Sequence, residues 1–122
     1  MISTMTDARE LATELATRRC KPCEGGVPPL APEAVRELLR ALHVDWQLSA
    51  DGRSIARTFE FINFYRTMAF ANAVAWVANS EDHHPDLELG YSRCLVRWWT
   101  HAAGGLTEND FICAAKVDLL GA

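Results

Sequence analysis

The strongest constraint on how this chain folds is a change of hydrophobic period along its length. Leu87, Leu89 and Tyr91 alternate with Asp86, Glu88 and Gly90, and Cys94, Val96, Trp98 and Thr100 alternate with Arg93, Leu95, Arg97 and Trp99. Side chains of a strand point to opposite faces in turn, so this period predicts two half-buried strands forming a hairpin. Upstream the period is helical. Val35, Leu38, Leu39 and Leu42 recur at i, i+3, i+4 and i+7 behind Pro32, a residue suited to a first helical turn. Asn63 can cap a second helix running to about Ser80. On it Phe61, Phe64, Tyr65, Met68, Ala71 and Ala75 trace one apolar stripe, widened by Phe70, Val74 and Val77. Between the two helices, Trp46-Gln47-Leu48 and Ser54 to Phe61 read as short strands joined through Asp51-Gly52, a hairpin signal because both residues accept positive φ. Gly104-Gly105 breaks the chain, and Thr107 with Asp110 three residues on opens a last helix through a carboxylate variant of the capping box. The order α-β-β-α-β-β-α predicts an α+β domain, a four-stranded antiparallel sheet with helices packed on one face.

Residues 1–30 read as an N-terminal extension followed by a Gly/Pro-rich loop, and residues 31–122 as a single domain. The weak helical pattern of residues 1–20, carried by Leu11 and Leu15, predicts loose packing. A chain of 122 residues holds one core and gains from oligomerisation. The wide apolar face of residues 61–78 suits a homodimer or homotetramer. A net charge of −4, with no basic run beyond Arg18-Arg19-Cys20-Lys21, leaves no footprint for nucleic acid. No apolar run approaches the ~20 residues of a membrane span, and the first residues lack the basic start and apolar stretch of a signal peptide. A cytoplasmic location is the expectation. A reducing compartment argues against pairing the four cysteines. Cys20-x-x-Cys23 invites a zinc or redox reading, but no second such pair exists and Cys94 and Cys113 stand singly, so a local structural role is expected.

Chemistry concentrates in the histidines. Of four, His83 and His84 are adjacent in Glu81-Asp82-His83-His84-Pro85-Asp86, and His101 follows Trp99-Thr100. His43 ends the first helix without an acidic neighbour and reads as structural. Imidazole exchanges protons near neutrality, so such a cluster serves acid–base chemistry, a metal, or local hydrogen bonding. Pro85 biases His84 toward an extended conformation, placing the pair in the loop before a strand. In an antiparallel hairpin the residue entering the first strand lies beside the residue leaving the second. His83 and His84 should therefore meet His101 at one end of the sheet. Adjacent residues on extended chain diverge, which disfavours two neighbouring ligands on one ion.

His83-His84-Pro85, Tyr91, His101 and Asp110 fall at the spacings of the pterin-4a-carbinolamine dehydratases, bacterial type, which this chain resembles. Further matches run through Cys20 to Leu30, Asp51-Gly52, Ile55 to Phe59 and Gly104 to Phe111, so the resemblance covers residues 20 to 119. It implies a hydro-lyase that removes water from a 4a-hydroxytetrahydropterin to give quinonoid dihydropterin, recycling the cofactor of aromatic amino-acid hydroxylases. It also implies a pterin as substrate, with no metal and no organic cofactor, and a homo-oligomer. By the same carry-over His83 and His101 are the acid and base in an order left open, and His84 and Pro85 hold the pterin. Asp110 matches the family's final Asp while also fitting a helix cap, through which it would orient His101. The position four before His83, charged in most members, is Asn79 here, so Glu81 or Asp82 would supply that carboxylate. Trp98 and Trp99 replace smaller residues, and Trp99 would narrow the pocket or stack on a planar ring. Two other functions remain on the table: a non-catalytic dimerisation or regulatory partner, and a role in molybdopterin metabolism.

Overall fold

The computed structural model describes residues 4–22 and 26–121. Helix α1 (Thr4–Thr17) and helix α2 (Pro32–Arg40) lead into strands β1 (Gln47–Leu48) and β2 (Ile55–Glu60). Helix α3 (Phe64–Glu81), strands β3 (Asp86–Leu89) and β4 (Arg93–Trp98), a single 3-10 turn at His101–Ala103 and helix α4 (Glu108–Asp118) complete the chain. The four strands form one open antiparallel sheet in the order β1-β2-β4-β3. Cys23, the second cysteine of the Cys-x-x-Cys, lies outside the described residues.

The expected elements form for the expected reasons. Pro32 opens α2 and Arg40 closes it, while Val35 and Leu42 bury and Leu38 and Leu39 pack against the core. The Asn63 side chain accepts from the Arg66 N–H at 2.9 Å, capping α3. Gly52 at φ 74° makes the β1–β2 turn, its N–H donating to the Ser49 carbonyl at 2.9 Å. Ile55 and Phe59 of β2, with Cys94, Val96 and Trp98 of β4, face inward, and α3 and α4 cover them. Arg57 shares that inner face. Its guanidinium reaches the Asp118 carboxylate at 2.8 Å and lies 4.2 Å from the Phe59 ring centre.

Three expectations need correction. The later part of the N-terminal segment does not pack loosely: α1 docks along α4, Leu15 is fully buried, and the Lys116 ammonium donates to the Ala16 carbonyl at 2.9 Å. On α3 the buried face is Thr67, Phe70, Ala71, Val74, Val77 and Ala78, whereas Phe64, Tyr65 and Trp76 face outward. The helix is apolar on more than one side, so periodicity alone could not choose between stripes. Tertiary packing chose by placing Phe70 against Phe59 and Phe61, with ring centres 4.5 and 5.1 Å apart. Finally, β3 is an edge strand whose four residues are all exposed, so its alternation is not matched by a buried side in the single chain.

Candidate active site

Helix α3 ends on Asp82, which takes the left-handed conformation at φ 51°. Aspartate tolerates that region better than most side chains. The N–H of His83 then turns back to the Ala78 carbonyl at 3.1 Å, satisfying a carbonyl of the last turn as a Schellman closure does. This reversal sets the His83 ring against the start of α4, where Nε2 meets Asp110 Oδ1 at 2.6 Å.

Asp110 is completely buried, and every bond it makes is directional. Its Oδ2 accepts from the Thr107 N–H at 2.9 Å, the carboxylate half of the capping box, and from the Thr100 hydroxyl at 2.8 Å. The hydroxyls of Thr100 and Thr107 stand 2.8 Å apart. Trp98 stacks parallel to the His83 ring, with centres 5.8 Å apart and planes within 7°. An ionised carboxylate accepts only, so a proton on His83 Nε2 would satisfy this pair and leave Nδ1 as the other ring nitrogen. Asp110 is thus both cap and direct partner of His83, and it touches the His101 segment only through the Thr100 hydroxyl.

His101 begins the 3-10 turn just after β4. The turn is held by the Thr100 N–H donating to the Gly105 carbonyl at 2.9 Å, and Gly104 at φ 66° closes it. The imidazole is exposed, and the Trp99 indole stacks on it with centres 3.8 Å apart. Trp99 Nε1–H in turn donates to Asp86 Oδ2 at 3.1 Å, so a carboxylate at the head of β3 fixes the indole. His84 is exposed, with Nε2 at 3.1 Å from Asn79 Oδ1.

The hairpin does bring the three histidines together. They share a cleft of about 470 Å³ with Asp82, Trp99, Thr100, Ala102, Asn109, Lys21 and Pro22. The last two belong to a strap that follows α1. The Lys21 N–H donates to Asn109 Oδ1 at 3.0 Å, and Asn109 Nδ2 donates back to the Lys21 carbonyl at 2.6 Å. The outer face of the sheet holds a concavity of similar size, about 460 Å³, but no histidine lines it. Chemistry, not volume, selects the cleft.

Other expected site residues fall elsewhere. Glu81 turns away from the cleft: it accepts from the Cys20 N–H at 2.7 Å and lies 3.4 Å from Arg19 Nε and 3.8 Å from Lys116 Nζ. Pro85 does not line the cleft, and Asp82 does. Sequence reasoning missed the Asp86–Trp99 and Asn79–His84 contacts and the strap. In the sequence Asn79 stands out as a departure from the family pattern, and its place one helical turn before the histidine pair is the signal for its contact with His84. Among the described residues, no three His, Cys, Asp or Glu side chains are placed to hold a metal ion.

Known proteins resemble this chain in sequence and in fold. The profile of the pterin 4 alpha carbinolamine dehydratase family matches residues 28–120. A Nitrosomonas eutropha protein named "Putative pterin-4-alpha-carbinolamine dehydratase" is 64% identical over 107 residues, covering 88% of this chain and 93% of that protein. A Legionella pneumophila protein of the same name is 52% identical over 110 residues, covering 90% and 97%. Among solved structures, a transcriptional coactivator/pterin dehydratase from Brucella melitensis superposes with a TM-score of 0.70 at 36% identity, covering 77% of this chain and 99% of that one. A pterin dehydratase-like protein identified as a RuBisCO assembly factor in the alpha-carboxysome shares the fold alone, with a TM-score of 0.57 at 22% identity. An α+β chain with a helix-backed antiparallel sheet and a histidine cleft at its end is the class defined so far. This chain belongs to the pterin 4 alpha carbinolamine dehydratase family. It is a dehydratase, and among the described residues no helix is long and apolar enough to cross a membrane.

Proposed function

We propose that the enzyme removes water from a 4a-hydroxytetrahydropterin by proton transfer between His101 and His83, recycling the cofactor of aromatic amino-acid hydroxylases. The observation that carries this reading is the His83–Asp110 pair at 2.6 Å, with a carboxylate wholly removed from solvent. An Asp behind an imidazole fixes its tautomer and stabilises the imidazolium formed when it accepts a proton. His83 is therefore the base, through Nδ1. His101 lies exposed in the cleft on the face of an indole, and an aromatic face attracts a cation. His101 is therefore the acid, donating as imidazolium.

In the reaction the C4a–O bond breaks and its electrons leave with oxygen, which takes a proton from His101 and departs as water. The lone pair of the adjacent ring nitrogen forms the new C=N bond, and the proton of that nitrogen passes to His83. Electrons balance without a redox partner, and in this reading the two imidazoles carry both proton transfers, with neither metal nor organic cofactor invoked. His84, held by Asn79, secures the pterin, and Pro85 contributes only by biasing the His84 backbone toward an extended conformation. The unpaired thiols of Cys20, Cys94 and Cys113 fit a reducing, cytoplasmic setting. The outward aromatics of α3 fit a homodimer or homotetramer.

Replacing His83 or His101 with Ala should lower 4a-carbinolamine dehydration by roughly 10²- to 10⁴-fold, the usual share of a positioned acid or base. Far-UV circular dichroism should stay unchanged. Unaltered turnover in both variants would sink the reading in favour of a binding role for the α3 surface.

A further inference from the structure

Behind the strap that walls the cleft, two sulfurs face each other. Cys20 Sγ and Cys113 Sγ lie 3.5 Å apart, although 93 positions separate them in sequence. Cys113 is fully buried on α4, one helical turn beyond Asn109, while Cys20 is partly exposed. Bonds other than the sulfur contact hold them there. The Cys20 N–H donates to Glu81 at 2.7 Å, and both polar ends of the Asn109 amide grip the main chain of Lys21 at 3.0 and 2.6 Å. These bonds fix the main chain of the strap beside Cys113 and leave the Cys20 side chain to rotate.

A buried cysteine is most often just a small apolar side chain. Cys94, buried on β4 with no sulfur neighbour among the described residues, is of that kind. The Cys20–Cys113 pair differs in two ways: sulfur meets sulfur, and one partner is only partly buried. Arg19 and Lys21 flank Cys20 in sequence, and the Glu81 carboxylate on the Cys20 N–H pairs with Arg19, so the case for the pair rests on its geometry.

We propose that Cys20 and Cys113 are a modification site at which a small-molecule disulfide converts the two thiols into an intramolecular bridge, fastening the strap of the cleft to helix α4. Cys20 loses its proton to solvent and attacks one sulfur of the oxidant RSSR. The oxidant S–S bond breaks, one thiolate leaves and takes up a proton, and Cys20 carries a mixed disulfide. Cys113 then attacks the Cys20 sulfur, and its proton passes to the second thiolate as that thiolate is expelled. The protein loses two hydrogens and RSSR is reduced to two RSH. Bonded sulfurs lie about 2.05 Å apart, so closing the gap takes a shift of roughly 1.5 Å, within reach of side-chain rotation. The order of attack follows from what restrains Cys113. Its thiol is held protonated first by the hydrogen bond to Cys20 and then by burial, so capping Cys20 removes the leading restraint.

The bridge closes a loop that spans nearly the whole domain, which restricts the unfolded chain strongly. The site does not rest on the dehydratase reading. The full chain, incubated with excess oxidised glutathione and then alkylated in acid, should show a mass lower by two hydrogens and a Cys20-to-Cys113 cross-linked peptide. Its Tm should rise by about 10 °C, reversibly with dithiothreitol. Cys23→Ser should keep the bridge. Cys20→Ser should lose it while melting like the reduced parent. Glutathione remaining on Cys20, a bridge from Cys20 to Cys23, or no reaction would each overturn the proposal.

Discussion

Asp110 serves two structures at once, since one oxygen holds the α4 cap and the Thr100 hydroxyl while the other holds His83. Its substitutions should therefore separate chemistry from folding. In Asp110→Asn the amide oxygen can still meet the Thr107 N–H, but the charge behind His83 is gone. Turnover should fall by roughly 10²-fold or more, with only a modest loss of Tm. Asp110→Ala leaves the buried Thr107 N–H without an acceptor and should add about 1–3 kcal/mol of destabilisation, read by denaturant titration. Trp99 calls for a finer test because it acts through His101. Trp99→Ala should reduce kcat by roughly threefold to tenfold with a smaller change in KM, and Trp99→Phe, which keeps an aromatic face, should restore most of it. The meeting of the three histidines was legible in the sequence because strand pairing dictates which residues share a sheet end. The partner of Asp110 was not legible. The cap puts the carboxylate at the start of α4, but which imidazole reaches it depends on the reversal at Asp82, a backbone event with no sequence mark beyond a tolerated aspartate. Glu81 escaped for a similar reason, because its destination is set by where the strap docks.

At the scale of elements, the strand alternation of β4 and the caps of α3 and α4 could be read directly, since each rests on local geometry. What could not be read depended on packing between distant segments. Helix α1 shows this. Its pattern is weak because few apolar residues carry it, yet Leu15 fills a fully buried position against the core. Its end is tied down by Arg18, whose guanidinium reaches Glu108 at 2.9 Å and Glu14 at 3.0 Å. Such exposed ion pairs contribute little, so burial of Leu15 is the main attachment. Leu15→Ala should cost about 2–4 kcal/mol, whereas Arg18→Ala should cost less than about 1 kcal/mol, both by urea titration. Because the strap continues from α1, the Leu15 variant should also loosen Lys21 against Asn109. Faster amide exchange at Lys21 in that variant, but not in Arg18→Ala, would show that the helix positions one wall of the cleft.

The whole molecule keeps two thiols, Cys94 and Cys113, entirely inside one core, and this sets how its stability responds to alkaline pH. Burial pushes the Cys94 thiol above its ordinary value. The hydrogen bond to Cys20, burial, and the nearby carboxylates of Glu81 and Asp110 push Cys113 higher still. In the unfolded chain both thiols ionise near their ordinary pKa of 9.0. Below that pH folded and unfolded chains are equally protonated there, and the stability contribution is fully present. Above it the unfolded chain gives up protons that the folded chain retains, so stability falls as pH rises, by up to about 1.4 kcal/mol per pH unit for each thiol. Between pH 9 and pH 10 the urea midpoint of the reduced protein should therefore drop steeply. A Cys94→Ala, Cys113→Ala double variant, less stable at neutral pH because of the volume lost, should show a visibly shallower decline over that interval. A decline of equal slope in the double variant would assign the alkaline sensitivity to other groups. The bridged form offers a control, because linking Cys113 to Cys20 removes one of the two protons at issue and should by itself flatten part of the slope.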